Sequence, residues 1–211
     1  MKTGIIFDMD GTLWDSAEEV AASWTEVLKK HPGVKKQLLT KQDLESVMGL
    51  TMKDIALRLF PEVSEAEQEC IMDECMSYEN EYLREHGAYV YDGVEETFQT
   101  LIKTYPLYIV SNCQSGYIEA FLDYYDLNRY ITDFACYGDN KETKDVNIRL
   151  LAERNGLERY IYVGDIQGDY EATCKAGGEF IHAAYGFGNV DGDVIHLNSI
   201  RELPDALKCM E

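Results

Sequence analysis

Near the start of the chain, residues 5–13 read IIFDMDGTL, an apolar run that ends abruptly in two acidic residues. A short, continuous apolar run is typical of a buried strand in a parallel sheet. Asp8 and Asp10 follow directly, and because side chains alternate along an extended chain, the two share one face. Burying a carboxylate is costly unless it is paired or bound to a metal. The pair therefore lies either on the surface by chance or at a site that uses both groups.

The bulk composition is that of a globular protein with a strongly acidic surface. Of its 211 residues 45% are hydrophobic, and 39 acidic against 19 basic residues give a net charge of −20. This length suits one large domain or one domain with an insertion. So negative a surface repels nucleic acids and anionic membranes, and we expect neither as a partner. No apolar run approaches the roughly 18 residues of a membrane helix, and Met1-Lys2-Thr3 leads straight into a strand, so we expect a cytoplasmic protein.

Helix-start signals recur between residues 16 and 86. Polar capping residues precede helical spacing at four positions, which are Ser16, Thr40, Thr51 and Ser64. The last and longest of these helices is expected to turn four side chains inward, namely Ile71, Cys75, Tyr78 and Tyr82. This stretch predicts an all-helical unit of about 70 residues.

From residue 88 onward, short apolar runs alternate with amphipathic segments. Strands are predicted at 107–110, 134–137, 160–163 and 179–184. Helices are predicted between them at 118–127, 146–155 and 170–176. Such alternation implies an α/β fold, with a parallel sheet covered on both faces. The strand at residues 3–8 is too short to stand alone, so it is expected to join this sheet, with the helical unit inserted after it.

Several predicted strands end in a polar residue, and these are Asp8, Ser111, Asp139 and Asp165. Ligands of open parallel sheets bind at the carboxyl ends of the strands. These side chains are therefore expected to converge on one site, although they lie far apart in the sequence.

The strand-end residues are the types that phosphoryl transfer to a carboxylate requires. Such a reaction uses a nucleophile, a proton donor, a metal, and donors or a cation around the phosphoryl group. Asp8 and Asp10 are the carboxylate pair, and Gly11 lets the backbone turn close to an anion. The later segments add hydrogen-bond donors, a cation and hard oxygen ligands suited to Mg²⁺, namely Ser111, Asn112, Lys144, Asp165 and Asp169.

In these motifs and in their order, the chain resembles the haloacid dehalogenase-like hydrolase superfamily. The resemblance lies in residues 7–13 (FDMDGTL), residues 110–112 (VSN) and Asp165 with Asp169, and it covers nearly the whole chain. It points to the branch with a helical cap inserted after the first strand, to which phosphoglycolate phosphatase and β-phosphoglucomutase belong. The resemblance implies a Rossmann-like three-layer core formed by residues 1–14 and 88–211, with an all-helical cap at 15–87.

The resemblance also implies a role for each motif residue. Asp8 would be the nucleophile that carries an aspartyl-phosphate, and Asp10 would be the general acid and then the base. Ser111 would hydrogen-bond the phosphoryl group, and Lys144 would offset its charge. The turn after the first strand and the second motif would contact the phosphate through Met9, Asp10, Gly11, Thr12 and Asn112. The ligands of Mg²⁺ would be the Asp8 carboxylate, the Asp10 carbonyl, Asp165 and Asp169.

Two assignments stay open at this stage. The third motif of the branch is commonly Lys-Pro, but here it is Lys144-Asp145, with Lys141 as an alternative three residues upstream. We favour Lys144 because it directly precedes a helical pattern. In the cap, Thr51 and Lys53 would reach a polar substrate, although Thr51 also fits the first position before a helix.

The sequence therefore predicts a Mg²⁺-dependent phosphatase of a small phosphorylated metabolite. A phosphomutase and a non-catalytic phosphate-binding regulatory protein are the alternatives. The expected assembly is a monomer or a weak homodimer.

Overall fold

A computed structural model describes residues 2–210 of the chain. Its strands are β1 (Thr3–Phe7), β2 (Trp14–Asp15), β3 (Tyr89–Val90), β4 (Leu107–Ser111), β5 (Ile131–Cys136), β6 (Arg159–Gly164), β7 (Glu179–Ala183) and β8 (Ile195–Leu197). Six of them form a parallel sheet in the order β5-β4-β1-β6-β7-β8. Strand β1 thus lies in the middle of the sheet. Later strands are added on one side of it as β4 and β5 and on the other side as β6, β7 and β8.

The α-helices begin with α1 (Ala17–Leu28), α2 (Lys41–Glu45), α3 (Met52–Leu59) and α4 (Glu65–His86). They continue with α5 (Val94–Leu101), α6 (Tyr117–Tyr124), α7 (Tyr137–Asn140), α8 (Lys144–Arg154), α9 (Gln167–Ala176) and α10 (Leu203–Lys208). Two short 3₁₀ turns cover Asn128–Tyr130 and Ile200–Glu202. Within residues 2–210, no helix combines the length and the apolar character that crossing a membrane demands.

Side-chain alternation along β1 builds the two faces of the sheet. Ile5 and Phe7 join a buried cluster that continues into α5, α10 and the α1–α4 helices, whereas Ile6 packs on the opposite face with residues of α8 and α9. Asp8 continues the alternation and so belongs to the face that carries α8 and α9. The predicted α/β fold with a parallel sheet covered on both faces is confirmed.

Most predicted strands are confirmed within one or two residues, but the strand expected at 134–137 is displaced. The observed β5 begins at Ile131 and ends at Cys136, and Tyr137 already opens the short helix α7. Strand β8 is an additional edge strand that the sequence patterns did not indicate. It pairs with β7 through Ile181↔Ile195 and two further residue pairs.

Helices α1–α4 form a unit that the chain enters and leaves through a narrow ribbon. Strands β2 and β3 pair antiparallel, with Trp14 opposite Val90 and Asp15 opposite Tyr89. The starts predicted at Thr40, Thr51 and Ser64 are confirmed, since each of these side chains accepts a hydrogen bond from the backbone of its helix.

The predicted inner face of α4 is partly wrong. Ile71 and Cys75 are buried, but Tyr78 and Tyr82 are not, and Glu79 and Leu83 take their place. The helix turns its C-terminal half toward α6 rather than along the apolar stripe that the sequence suggested. A carboxyl group is thereby placed where an aromatic ring was expected.

Candidate active site

The strand-end acids meet at the carboxyl end of β1. Phe7 is paired with Ile109 of β4 and with Val163 of β6, so Asp8, Ser111 and Asp165 lie at neighbouring strand ends. The expectation of convergence fails for Asp139. That residue lies in α7, is exposed, and accepts a hydrogen bond from Ser115.

Asp8 and Asp169 share one buried lysine. Lys144 Nζ lies 2.9 Å from Asp8 Oδ1 and 2.5 Å from Asp169 Oδ1, and the side chain of each of the three residues is at most 5% exposed. Lys144 is the first residue of α8 and Asp169 lies in the first turn of α9, and both helices cover the sheet face to which Asp8 points. Tyr162 closes the group, since its hydroxyl donates to Val110 O at 2.7 Å and lies 3.4 Å from Asp8 Oδ1.

Backbone amides hold the two later acids in place. The amide of Phe187 donates to Asp165 Oδ2 at 2.7 Å, and the amide of Asp165 donates to Asp169 Oδ2 at 3.2 Å. Gly11 is needed beside them, because a Cβ at this residue would lie 2.0 Å from Asp165 Oδ2 and its φ is +81°. The motif glycine thus makes room for the acid of a distant strand.

Three buried carboxylates, those of Asp8, Asp165 and Asp169, place oxygens within 4.8 Å of one another. With all three ionised, Lys144 alone leaves two negative charges uncompensated. Burial and the neighbouring Asp169 raise the pKa of Asp8 to about 7, and the same causes raise that of Asp165. A divalent cation held by hard oxygen ligands would balance this cluster, so the donor set fits Mg²⁺.

Asp10 is held by two hydroxyl groups that the sequence motifs did not identify. Tyr117 donates its O–H to Asp10 Oδ1 at 2.6 Å, and Ser16 Oγ donates to the same oxygen at 2.8 Å. The two hydroxyl oxygens are themselves 2.7 Å apart. Burial raises the pKa of Asp10 to about 6, while these two hydrogen bonds oppose the rise. The carboxyl group is thus poised to titrate near neutral pH.

The capping role predicted for Ser16 is therefore wrong. Ser16 does precede α1, but its side chain makes no capping hydrogen bond because it is engaged with Asp10. Asp15 Oδ1 instead accepts from the amide of Ala17 at 3.1 Å. A serine directly before a helix is so often a cap that its sequence context does not reveal this second use.

The turn after β1 contains two residues, Gly11 and Thr12, that were expected to contact phosphate. The amide of Gly11 donates to Trp14 O at 2.9 Å, and that of Thr12 donates to Met9 O at 3.1 Å. The Thr12 hydroxyl is buried and the Thr12 carbonyl accepts from Tyr185. In this structure the backbones of Gly11 and Thr12 therefore shape the loop that presents Asp8 and Asp10.

The second motif faces the α1–α4 helices. Ser111 ends β4, is 5% exposed, and lines the same cavity as Asp10. Asn112 Nδ2 donates to the carbonyl of Gly49 at 2.9 Å, in the loop between α2 and α3. This hydrogen bond joins the segment above the site directly to the end of β4.

Thr51 and Lys53 are not brought to the Asp8 cluster. The Thr51 hydroxyl caps α3 and bonds Asp54, which is the alternative that its sequence position allowed. Lys53 is exposed and pairs with Glu65 at 3.1 Å. In this structure both side chains are engaged within the α1–α4 helices, and their role as substrate contacts stays a prediction.

The two candidate lysines of the third motif differ completely in placement. Lys144 is buried between Asp8 and Asp169. Lys141 is exposed, directly follows α7 with φ of +61°, and lies over the ring of Tyr137. Of the two, only Lys144 contacts the acid cluster.

A small cavity beside Asp10, here named the Asp10 cavity, separates the sheet edge from the α1–α4 helices. It has a volume of about 30 Å³. Its lining combines apolar side chains of α1–α3 with polar groups of the sheet edge and α4. The residues are Asp10, Val20, Trp24, Leu44, Met48, Gly49, Leu50, Met52, Ile55, Glu79, Ser111, Asn112, Cys113, Gln114 and Tyr117.

Comparison with known proteins identifies a family and a set of relatives. The family model described as haloacid dehalogenase-like hydrolase matches residues 5–183. A phosphoglycolate phosphatase of Shigella boydii is 25% identical, with 97% of this chain and 92% of the relative covered. A 5'-nucleotidase of Pseudomonas aeruginosa is 26% identical, with 89% and 85% covered. The names of these two relatives refer to different substrates.

A solved structure shares the fold over the full chain. The predicted phosphoglycolate phosphatase from Haemophilus somnus matches with a TM-score of 0.84 at 21% identity, covering 100% of this chain and 98% of that one. The match of the family model over residues 5–183 confirms the resemblance predicted from the motifs in residues 7–13 and 110–112, and with it the expectation of a hydrolase.

Proposed function

Because the chain belongs to the haloacid dehalogenase-like hydrolase family, we propose that it is a Mg²⁺-dependent phosphatase of a small phosphorylated metabolite. The proposed helical cap comprises residues 15–87, over a catalytic core of residues 1–14 and 88–211. The observation that carries the proposal is the pairing of two differently held carboxylates. Asp8 contacts Lys144, whereas Asp10 is bonded by Ser16 and Tyr117.

The first step in this proposal forms an aspartyl-phosphate. An Asp8 carboxylate oxygen attacks phosphorus, the bond to the ester oxygen breaks, and protonated Asp10 gives its proton to the leaving oxygen. Burial raises the pKa of Asp10 to about 6, so a fraction of this group is protonated near neutral pH, while Lys144 and a Mg²⁺ held at Asp8 would favour the ionised form of the nucleophile. Lys144 keeps Asp8 oriented and offsets the charge of the phosphoryl group.

The second step hydrolyses the acyl phosphate. Asp10, now ionised, accepts a proton from a water molecule that attacks phosphorus, and the Asp8 carboxylate leaves. Ser111 at the end of β4 would donate to a phosphoryl oxygen in both steps. The Asp8, Asp165 and Asp169 carboxylates, with the Asp10 carbonyl, would hold Mg²⁺. The ion would neutralise charge on the phosphoryl oxygens when bound.

Phosphate release from p-nitrophenyl phosphate and a panel of phosphorylated metabolites tests this function. We expect turnover that EDTA abolishes and added Mg²⁺ restores, and that Asp8→Asn lowers by about 10³-fold or more. Asp139→Asn is the matched control, because Asp139 was predicted to end a strand at the site but lies in α7, exposed and bonded to Ser115. Wild-type turnover in Asp8→Asn would refute the role of Asp8 as the nucleophile. A requirement for a bisphosphate activator would identify a mutase instead.

A further inference from the structure

The Asp10 cavity carries a second carboxyl group, contributed by α4. Glu79 is 3% exposed, and its side chain accepts from Trp24 Nε1 at 2.5 Å and from Gln114 Nε2 at 3.0 Å. These two bonds fix the carboxyl group between a helix of the proposed cap and the loop that follows β4. The proposed two-step mechanism does not use it.

Gln114 adds an acceptor that the protein itself leaves without a partner. Both N–H bonds of its amide are committed, to Glu79 at 3.0 Å and to Asn80 at 3.0 Å. Its Oε1 is buried and, among the described residues, finds no hydrogen-bond donor. A buried, unsatisfied acceptor is costly unless a bound group donates to it. Because Gln114 is one of the residues that line the Asp10 cavity, a group bound there is the candidate donor to this acceptor.

The cavity also lacks positive charge. Among the described residues that line it, none is a lysine, an arginine or a histidine. Lys144 is committed to Asp8 and Asp169, and Lys53 pairs with Glu65 on the exposed side of α3. A carboxylate brought into this space would therefore be buried beside Asp10 and Glu79 without a cation to compensate it, which is strongly unfavourable.

We propose that this cavity, whose volume of about 30 Å³ admits only a small group, receives a hydroxyl or amino group of the leaving-group alcohol and accepts alcohols that are uncharged or cationic and present O–H or N–H donors to Glu79 and Gln114. It rejects leaving groups that carry a carboxylate. This inference rests on the proposed phosphatase function and narrows its substrate class. It separates this chain from the relatives that are named for phosphoglycolate, whose alcohol part is a carboxylic acid.

Substrate ranking with the full-length wild-type protein tests the inference directly. The measurement is kcat/KM at saturating Mg²⁺ for glycerol 3-phosphate, phosphoethanolamine and 2-phosphoglycolate. Turnover of p-nitrophenyl phosphate serves as the reference for the rate of the chemical steps. We expect both donor-bearing substrates to exceed 2-phosphoglycolate by about tenfold or more. Equal or faster turnover of 2-phosphoglycolate would overturn the inference and leave the phosphatase function intact. Absence of turnover with all four would overturn the phosphatase function and this inference with it.

A matched pair of variants assigns the discrimination to Glu79. In Glu79→Gln the ratio of kcat/KM for the donor-bearing substrates to that for 2-phosphoglycolate is expected to fall about fivefold or more, because the amide offers two N–H donors to a carboxylate whereas a protonated carboxyl group offers one O–H at most. Glu81→Gln, which changes an exposed acid of the same helix, is expected to leave the ratio unchanged. An unchanged ratio in Glu79→Gln would overturn the assignment. If that variant fails to fold, the wild-type ranking decides alone.

Discussion

Tyr117 donates its phenolic hydrogen to Asp10 across 2.6 Å, although 107 positions separate the two residues. The bond joins the first residue of α6 to the second acid of the loop after β1. Hydrogen bonds to the ionised form of a carboxylate lower its pKa, so Tyr117 opposes the effect of burial on Asp10. This contact gives a way to move the titration of Asp10 without removing its carboxyl group.

Tyr117→Phe is therefore expected to raise the pKa of Asp10 by about one unit, the size of one lost hydrogen bond to a charged group. As pH is lowered, the rate of aspartyl-phosphate hydrolysis should then begin to fall at a higher pH than in the wild type, because the base must be ionised. Single-turnover rates between pH 5 and pH 8 measure the shift. Tyr124→Phe, on the exposed side of the same helix, is the control, and an identical pH profile for Tyr117→Phe would contradict the assignment of Asp10 as the base.

Asp10→Asn should separate the two chemical steps. The amide can neither protonate a poor leaving group nor activate water, but p-nitrophenolate leaves without a proton. We expect a phosphorylated protein to accumulate with p-nitrophenyl phosphate, to a level seen in neither the wild type nor Asp8→Asn. Intact-protein mass spectrometry after acid quench detects the added phosphate. Steady hydrolysis with no accumulation would show that another group supplies the base.

Lys144→Ala and Lys141→Ala are expected to differ by about 10²-fold in kcat, because only Lys144 contacts the acid cluster. Removing Lys144 also leaves Asp8 and Asp169 buried without their cation, so the free energy of unfolding should fall by about 3 kcal/mol. The decrease in Tm that Lys144→Ala causes relative to the wild type should be larger in EDTA than in Mg²⁺. Thermal melts in both buffers, together with kcat, check this result, and equal effects of the two variants would contradict it.

Gly11→Ala and Gly156→Ala compare two glycines that share a left-handed backbone but differ in their surroundings. Both have positive φ, +81° and +63°, so each alanine is expected to cost about 1 kcal/mol in stability. A Cβ at residue 11 would also collide with Asp165 at 2.0 Å, whereas one at residue 156 meets nothing within 4 Å. Isothermal titration should therefore show Mg²⁺ affinity lost only in Gly11→Ala. Unchanged affinity in both would contradict the proposed role of Asp165 as a metal ligand.

Glu79 is expected to make the protein less stable as pH rises. Burial raises the pKa of Glu79 from 4.5 to about 8, so between these values the folded state holds a proton that the unfolded state has lost. Its contribution to the free energy of unfolding is fully present below pH 4.5 and is lost as pH rises through 8. The difference in Tm between the wild type and Glu79→Gln should thus fall by about 7–14 °C from pH 5 to pH 8, corresponding to about 3.5 kcal/mol. Glu81→Gln should show no such trend.

Residues close together in the sequence account for what could be predicted. Residues 5–13 specify a strand and its turn, and the alternation of short strands and helices specifies the parallel sheet that carries Ser111 and Asp165 to the same edge. The prediction that Asp139 reaches the site was wrong because β5 ends one residue earlier than expected and the chain continues into α7. The lysines three residues apart could be ranked but not decided from the sequence, since their difference arises from where α7 ends.

Contacts between helices distant in sequence could not be predicted. Ser16 and Tyr117 reach Asp10 only because α6 packs beside the ribbon that leads into α1. Glu79 is buried because α4 rotates its C-terminal half toward α6, against its apolar stripe. Neither helix propensity nor hydrophobic periodicity predicts these two contacts between helices. The groups that surround Asp10 therefore become visible only in the folded structure.

The position of β1 also bears on how the chain is made. Ile5 pairs with Leu107 on one side and Ile161 on the other, so the first strand synthesised must wait for more than half of the chain before either neighbour exists. Contacts of such long sequence separation are slow to form. During synthesis, the helices of residues 17–86 can fold while IIF remains an unpaired apolar edge. The segment that carries Asp8 therefore lacks both of its strand partners during that time, and synthesis of the strand at 159–164 supplies the second of them.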